Sequence, residues 1–348
     1  MFKINIKLIL IFLLPSLVYS KLLDGLLDLS LVQKLVDEIN GLTGGIWKAE
    51  VNKLSLLSTN EQKKLCGTII PEMGNNTEAE PPNIEKEAGG SCSTKIEFDS
   101  RNKWSGCSSI IGRIQDQGRC GSCWAVSTAS SYTDRYCISR AKKGQKTSGN
   151  DAGSQFSALD LLSCSMSNKN GCNGGWPFEA WKWIKNKGIC TGTDYKWKSG
   201  CKPYPYSSGG STPMSQCKST CTAEWKTSYQ KDKHFAKIIG SFDGNIGNVQ
   251  DIKKEIMTNG PVVACFNVYS DFLSYKSGKT ANAQKRGGHA VRIIGWGTQT
   301  CNGNKMPFWL IANSWSTNWG EKGLFKIRSG VNECGIEKYG ISFGIPKI

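Results

Sequence analysis

Apolar residues near the start of the chain recur at three- and four-residue steps between positions 22 and 39. This spacing is the period of an amphipathic helix. The apolar positions are Leu23, Leu26, Leu27, Val32, Leu35, Val36 and Ile39. The pattern therefore predicts a small helical segment ahead of the rest of the fold.

The pattern of the remaining chain changes from helical to stranded. Residues 122–137 hold many small residues and no Pro or Gly, as is typical of a helix, and residues 158–162 and 177–186 are similar. After about residue 260, β-branched and aromatic runs that end at Gly or Asn indicate strands. These runs cover residues 290–296, 308–312 and 324–327. The sequence therefore predicts an α+β fold of two lobes, with a functional cleft between them.

The leading region carries signals for export and processing. Residues 1–20 begin basic, continue through an apolar run too short to span a bilayer and end at a small serine, as in a secretory signal peptide. No later stretch is apolar enough to cross a membrane, so we expect a protein of a lysosome-like vesicle or the extracellular space. Residues 72–90 are rich in Asn, Glu, Pro and Gly, which predicts an exposed connector where processing proteases cut. The sequon at Asn75 predicts a glycan on this connector.

Composition narrows the classes of function. Fifteen cysteines in an exported chain indicate a disulfide framework. The net charge is +16, but no basic patch is interleaved with aromatic residues or with a motif that reads nucleic acid. Solvated lysines therefore explain the charge better than nucleic-acid binding does.

Cys123 lies at the start of the predicted helix, directly after Cys120-Gly121-Ser122. A cysteine there meets the positive end of the helix dipole, which lowers the thiol pKa and favours a nucleophilic thiolate. Two other interpretations of Cys120 and Cys123 are a thioredoxin-like redox pair and half of a zinc site. The zinc site lacks a second pair of ligands nearby, and no short βαβ unit surrounds the motif as a redox pair would require.

A thiolate nucleophile needs an imidazole that holds the proton and later delivers it to the leaving amine. The chain has two histidines. His289 follows two glycines at the start of a predicted strand, where a substrate backbone can pass close by, so it is the candidate base. His234 lies in a charged run and is predicted to be structural or solvated. Asn313 ends another predicted strand and has an amide oxygen that can orient the imidazole, although a turn-forming role is the alternative.

Four blocks of sequence carry a resemblance to a known family. They are residues 117–125, 171–175, 287–291 and 313–315, and they occur in the order found in the papain family of cysteine proteases. The chain resembles this family from about residue 21 onward. The resemblance implies a papain-like α+β fold in which a helical left lobe and a β-barrel-like right lobe flank the active-site cleft. It implies no metal and no organic cofactor.

The resemblance also implies a role for each site residue. Cys123 attacks the scissile carbonyl, and the Gln117 amide with the Cys123 backbone N–H stabilises the oxyanion. His289 protonates the leaving amine and then activates water, while Asn313 orients His289 and Trp315 shields that contact. The implied substrate-binding positions are Gly174, Gly175, Gly288, Ala290, Trp315 and Tyr339. The glycines at 174 and 175 would pair with the substrate backbone as a strand. Protein and peptide substrates and cystatin-like inhibitors are the expected partners of a monomer.

Within the family, the chain is similar to the cathepsin B branch. Residues 47–52 and 65–68 resemble the short prosegment of that branch, and residues 98–101 resemble its mature amino end. Residues 269–272 and 334–337 also match. The resemblance therefore implies an inhibitory propeptide at 21–91 that lies in the cleft, followed by the mature peptidase domain at 92–348.

One region and one single residue depart from the pattern of the cathepsin B branch. Cathepsin B enzymes hold a substrate's carboxyl terminus with paired histidines of an occluding loop, but the matching region, residues 201–217, has no histidine. We therefore expect chiefly endopeptidase activity. Tyr339 replaces the acid that selects basic residues at the second position before the cut, so we expect apolar or aromatic residues there. The alternatives are residual exopeptidase activity and an inactive papain-fold binding protein; against the second, all four catalytic positions are filled.

The resemblance assigns only some of the cysteines. It implies disulfides Cys107–Cys137, Cys120–Cys172, Cys164–Cys217 and Cys201–Cys221. It leaves Cys92, Cys190, Cys265, Cys301 and Cys334 unassigned. If processing near residue 90 removes Cys66 and Cys123 stays a thiol, an odd number of cysteines remains, so at least one must lack an intramolecular partner.

Overall fold

The computed structural model describes residues 29–41, 47–70, 92–165, 171–207, 216–242, 248–278 and 285–348. The predicted signal peptide, residues 1–20, and the predicted connector at 72–90 with its sequon at Asn75 lie outside the described residues.

The helices of the structure include the segment that apolar spacing predicts near the start of the chain. They are α1 at residues 29–41, α2 (Thr59–Lys64), α3 (Ser100–Lys103), α4 (Ser108–Ile111), α5 (Cys123–Ala141), α6 (Ala158–Cys164), α7 (Pro177–Lys187) and α8 (Val249–Asn259). In α1, the predicted apolar face is buried at Val36 and Ile39, while the predicted positions Leu23, Leu26 and Leu27 lie outside the described residues. Among the described residues, no helix combines the length and the apolar character that crossing a bilayer requires.

Helix α5 runs through the middle of the fold and ends at Ala141, beyond the predicted end at residue 137. Every residue from Cys123 to Ile138 is buried, and the many Ala, Ser and Thr side chains let neighbouring elements approach closely. The fully buried Arg135 donates from Nε to the carbonyl of Pro261 at 2.6 Å and pairs with Glu255 at 2.9 Å. These contacts fasten the central helix to the turn between α8 and the next strand.

The strands form one large antiparallel sheet and one small one. They are β1 (Trp47–Ala49), β2 (Cys92–Asp99), β3 (Ala236–Phe242), β4 (Val262–Tyr269), β5 (Tyr275–Gly278), β6 (Lys285–Cys301), β7 (Asn304–Ala312), β8 (Leu324–Arg328) and β9 (Ile341–Pro346). The large sheet has the order β3-β9-β4-β6-β7-β8, and β2 also pairs with β6. The small sheet joins β1 to β5, so residues 47–49 of the predicted propeptide pair with a strand of the later half of the chain.

Each lobe has its own apolar core, and the predicted α+β fold is confirmed. Around α5, the core contains Trp124, Tyr132 and Trp181, whereas the core of the sheet contains residues such as Phe266 and Phe325. The predicted strands lie within β6, β7 and β8. Strand β2 was not predicted; it precedes α5 in the chain but crosses to pair with β6 in the other lobe.

Five disulfides link the described residues. Four of them join the pairs that the resemblance implies: Cys107–Cys137, Cys120–Cys172, Cys164–Cys217 and Cys201–Cys221. The fifth, Cys92–Cys301, joins two cysteines that the sequence left unassigned and ties β2 to β6. Cys66, Cys123, Cys190, Cys265 and Cys334 remain thiols.

Candidate active site

Cys123 is the first residue of α5, and no side chain caps this end of the helix. The first N–H groups of a helix lack intrahelical partners and carry the positive end of its dipole, which favours an anion at this position. The preceding turn is held by the Cys120–Cys172 disulfide and by a 2.9 Å hydrogen bond from Gly121 N to Cys172 O. A Cβ on Gly121 would lie 2.3 Å from that oxygen, so the turn requires glycine.

The pKa of the Cys123 thiol is lowered below its ordinary value. Burial alone would raise this pKa, but the nearby charge of His289 and the other groups around the sulfur together outweigh burial. Among these groups, the Thr68 hydroxyl, 3.2 Å from the sulfur, lowers the pKa further. The surroundings therefore favour the thiolate of Cys123, which is the form in which a cysteine acts as a nucleophile.

His289 and Asn313 come from neighbouring strands. His289 lies on β6, Asn313 directly follows β7, and the two strands pair in antiparallel register. The His289 Nε2 atom lies 2.7 Å from Asn313 Oδ1, which also accepts the Ser314 backbone N–H at 2.8 Å. Since an amide oxygen only accepts, Nε2 must donate, which leaves Nδ1 for the thiol.

Trp315 covers the contact between His289 and Asn313. The ring centroids of Trp315 and His289 are 4.7 Å apart, with 34° between the ring planes. All three side chains are buried. Because water is excluded, the hydrogen bond that orients the imidazole is stronger than it would be in solution.

Gln117 is buried and held from several sides. Its Oε1 accepts the Ser314 hydroxyl at 2.6 Å, and its Nε2 donates to Cys120 O at 2.8 Å. The same Nε2 donates to Leu65 O at 2.9 Å. A carbonyl from the leading part of the chain therefore occupies the amide donor that the sequence assigns to the oxyanion.

Residues 65–70, here called the cleft segment, close over the nucleophile. Gly67 N donates to the Cys123 sulfur at 3.3 Å, and the Thr68 hydroxyl lies 3.2 Å from it. The cleft segment pairs with both walls: Thr68 N donates to Gly288 O, and Gly175 N donates to Gly67 O, each at 2.9 Å. The nucleophile is consequently inaccessible in this form of the chain.

The glycines of the cleft are needed for this close approach. A Cβ on Gly288 would lie 2.3 Å from Thr68 O, and one on Gly174, where φ is +121°, would lie 3.1 Å from Gly67 O. Gly67 itself would bring a Cβ to 1.7 Å from Gly121 O. Backbones can therefore meet on both walls only because these positions lack side chains.

Tyr339, a substrate-binding position that the resemblance implies, lies next to the pair of strands that carries His289. Its ring packs against the apolar cluster that contains Cys265 and Ala290, which face each other across β4 and β6. Its hydroxyl accepts the side-chain N–H of Asn267 at 3.1 Å. Tyr339 thus presents an aromatic ring and a hydroxyl where the cathepsin B branch is expected to carry a carboxylate.

The remaining candidates lie outside the catalytic cluster. His234 packs edge-on against Tyr136 and Phe156, with ring centroids 5.4 and 4.9 Å away. The Cys120–Cys172 disulfide removes the thioredoxin-like alternative. Among the described residues, one group suited to a metal comes together, namely Cys190, Cys201 and Asp232. Its sulfur at Cys201 is already bonded to Cys221, so this group does not support a metal centre.

The sequence reasoning missed two residues that support the site. Ser314 fixes the Gln117 amide through its hydroxyl. Tyr204 donates its hydroxyl proton to Gln117 O at 2.8 Å. Ser314 lies inside a block that carries the resemblance, but nothing in the local sequence shows what either hydroxyl contacts.

Known proteins resemble this chain in sequence and in fold. Residues 95–343 match the family described as papain family cysteine protease. The chain is 36% identical over 334 residues to the cathepsin B-like cysteine proteinase 4 of Caenorhabditis elegans, covering 91% of this chain and 93% of that protein. The chain belongs to the papain family.

Other relatives place this papain-family chain in the cathepsin B-like branch. It is 44% identical over 257 residues to the cathepsin B-like cysteine proteinase of Schistosoma japonicum, covering 69% of this chain and 70% of that protein. The solved structure of procathepsin B S9 from Trypanosoma congolense matches with a TM-score of 0.70 and 34% identity, covering 90% of this chain and 98% of that chain. The chain is accordingly a cathepsin B-like cysteine protease that is made as a zymogen.

Proposed function

We propose that the mature protein is chiefly an endopeptidase that cleaves proteins through a thioester intermediate. The Cys123 thiolate attacks the scissile carbonyl carbon, and the carbonyl oxygen takes the negative charge. The Gln117 amide and the Cys123 backbone N–H would donate to that oxygen once the cleft segment has left. Removal of the cleft segment is therefore required before catalysis, because Leu65 O occupies the Gln117 donor in the zymogen.

His289 would act first as an acid and then as a base. It delivers a proton to the leaving amine when the tetrahedral intermediate collapses to the thioester. The free imidazole then takes a proton from water, whose oxygen attacks the thioester carbonyl; the C–S bond breaks and releases the carboxylic acid and the Cys123 thiolate, with the proton left on His289. The Asn313 oxygen keeps Nδ1 directed at the reacting atoms throughout.

The preference for internal bonds rests on where the two histidines lie. His289 is committed to Cys123, and His234 is enclosed by Tyr136 and Phe156. Neither is available to bind a substrate's terminal carboxylate, and residues 201–217 contain no histidine. A substrate can consequently extend past this region, because binding does not depend on an ion pair between a histidine and the substrate's terminal carboxylate.

Matched peptides test this preference. Each peptide would be made with a free and with an amidated carboxyl end, and turnover of both by the mature protein would be compared. An endopeptidase should give kcat/KM values for the two peptides within about threefold of each other, which corresponds to a difference of about 0.7 kcal/mol in activation free energy. A preference above about 100-fold for the free carboxylate would overturn the proposal in favour of dipeptide removal from the carboxyl end.

The neutral surface at Tyr339 supports a second element of the proposal. The ring contacts apolar neighbours, and the hydroxyl is already bonded to Asn267. Position 339 therefore supplies no negative charge to pair with the positive charge of a substrate Arg or Lys. We infer that apolar and aromatic residues are preferred at the second position before the cut. A peptide library dominated by Arg at that position would contradict this.

The processing and location of the chain complete the proposal. We propose removal of residues 1–20 on export and of residues 21–91 on activation, which leaves the mature domain at 92–348, and a glycan at Asn75 on the discarded piece. The mature protein would be a monomer in a lysosome-like vesicle or outside the cell, and cystatin-like inhibitors would enter the same cleft. Amino-terminal sequencing of the secreted and the activated protein tests both cuts.

A further inference from the structure

Tyr204 lies behind the oxyanion donors rather than in the cleft. Its side chain is 4% exposed, and its backbone N–H donates to Thr193 O at 2.8 Å. Its hydroxyl contacts two groups: the carbonyl of Gln117, at 2.8 Å, and the hydroxyl of Ser122. One phenol therefore touches the backbone of the residue that supplies the amide donor and the side chain of the residue just before Cys123.

Counting protons gives this network one direction. A carbonyl oxygen only accepts, so the single Tyr204 proton goes to Gln117 O. The Ser122 hydroxyl also lies 3.4 Å from Cys120 O, but its contact with the Tyr204 oxygen is much shorter, so the Tyr204 oxygen accepts the Ser122 proton. The order is Ser122 to Tyr204 to Gln117, and in the described structure each member is at least nine-tenths buried. Buried hydrogen bonds that are fully satisfied hold their groups rigidly.

The two ends of this network are the two halves of the oxyanion site. Gln117 carries the amide, and the N–H of Cys123 belongs to the peptide bond that follows Ser122. The right lobe holds Gln117 through Ser314, at its backbone N–H and at Oε1. Tyr204 provides the opposing contact at the carbonyl, next to Gly118, whose φ of +61° marks a tight bend.

We propose that Tyr204 is a positioning residue for the oxyanion site, which it braces by bonding the Gln117 carbonyl and the Ser122 hydroxyl. This inference rests on the proposed role of Gln117 as an oxyanion donor. Without the phenol oxygen, the Gln117 carbonyl loses its partner and the bend at 117–118 gains freedom. The amide then points less accurately at the charge that develops in the transition state. Binding of the uncharged substrate should change little.

The test variant is Tyr204→Phe, assayed as the mature protein. We expect kcat to fall by about tenfold, a fraction of the roughly 100- to 1000-fold that removal of an oxyanion donor costs, with KM within about twofold. A peptide aldehyde forms an oxyanion-like adduct with Cys123, so its affinity should fall by a similar factor. Alkylation by iodoacetamide forms no oxyanion, so its rate and its pH profile should not change.

Two further variants serve as controls. Tyr206→Phe removes the same atom from the neighbouring buried ring, whose centroid lies 5.2 Å from that of Tyr204, and should behave as the unmodified protein does. Ser122→Ala leaves the bond from Tyr204 to Gln117 in place, so we expect only about a threefold loss in kcat. It also removes no helix cap, because the Ser122 side chain does not cap α5.

Gln117→Ala tests the proposed role of Gln117 separately from the role of Tyr204. If it leaves kcat and aldehyde affinity unchanged, the proposed role of Gln117 fails. If it lowers both and Tyr204→Phe lowers neither, only the role of Tyr204 fails. If Tyr204→Phe slows iodoacetamide alkylation as much as turnover, the phenol acts on the thiolate or on folding, and the inference is overturned. Should Tyr204→Phe not fold, an unchanged kcat in Ser122→Ala would equally overturn it.

Discussion

The two walls of the cleft are built in different ways. On the nucleophile wall, Gln117 and Cys123 belong to one short stretch of chain, which a disulfide at Cys120 and the start of α5 hold in place. On the imidazole wall, His289 and Asn313 are far apart in sequence and meet because β6 pairs with β7. Local sequence can thus specify a thiolate, whereas correct orientation of its base depends on sheet register.

The two walls also differ in how much they depend on strand register. A one-residue slip between β6 and β7 would turn His289 or Asn313 to the other face of the sheet, because side chains alternate along a strand. The nucleophile wall has no such dependence, although the Ser314 hydroxyl reaches across to it at Gln117. Three predictions test this comparison, from the largest expected effect to the smallest, and a fourth concerns a site outside both walls.

Cys123→Ser should abolish turnover on the nucleophile wall. A hydroxyl does not ionise beside His289 as the thiol does, so we expect kcat to fall by roughly 10⁴- to 10⁶-fold. Peptide hydrolysis by protein processed in trans measures this, and Cys190→Ser, at another buried thiol remote from the cleft, is the matched control. Cleavage that persisted in the Cys123 variant would remove the central claim.

Asn313→Ala should weaken the imidazole wall without affecting the thiol directly. The ring of His289 loses the acceptor at 2.7 Å and can rotate, so we expect kcat to fall by roughly 100-fold with little change in KM. Trp315→Phe retains an aromatic cover and should cost less. Equal losses in the two variants would mean that shielding, rather than orientation, is the main contribution of this wall.

Tyr339→Glu should change selectivity more than rate. The new carboxylate would lie beside the cluster that contains Ala290 and attract a basic side chain, so the preference for Arg over Phe at the second position before the cut should rise by about tenfold. Tyr339→Gln has the same length without the charge and should show no such gain. A matching gain in the Gln variant would indicate that space, and not charge, controls this position.

The smallest effect concerns stability at His234, outside both walls. Burial between aromatic rings lowers the pKa of His234, Asp232 opposes this shift and Arg140 adds to it. The unfolded chain therefore binds the proton more readily, so stability falls as the pH drops through the ordinary value near 6.5 towards the lower folded pKa. His234→Gln in the Cys123→Ala background should lessen this fall.

Urea unfolding at pH 7.5 and at pH 5 measures that last effect. The inactive background prevents self-cleavage during the measurement. A loss of stability between the two pH values that is as large in the His234 variant as in its parent would assign the effect to other groups.

The parts of the fold that the sequence predicted are those with local signals. The long helix at Cys123, the strands at the end of the chain and the catalytic residues all lie in segments with clear spacing or motifs. Strand β2 could not be predicted because its burial pattern is mostly exposed and its partner, β6, lies about 200 residues away in the chain. The Cys92–Cys301 disulfide was unassigned for the same reason.

The sequence by itself determined the chemistry: a thiol at a helix start, one imidazole suited to it, and glycines where backbones must meet. Tertiary structure alone decided which hydroxyls serve the site, since Ser314 and Tyr204 reach Gln117 from separate parts of the chain. It also decided that the cleft segment blocks the nucleophile, through Gly67 and Thr68. The physical reason is that hydrogen bonds and packing act over a few ångströms in space, whatever the separation along the chain.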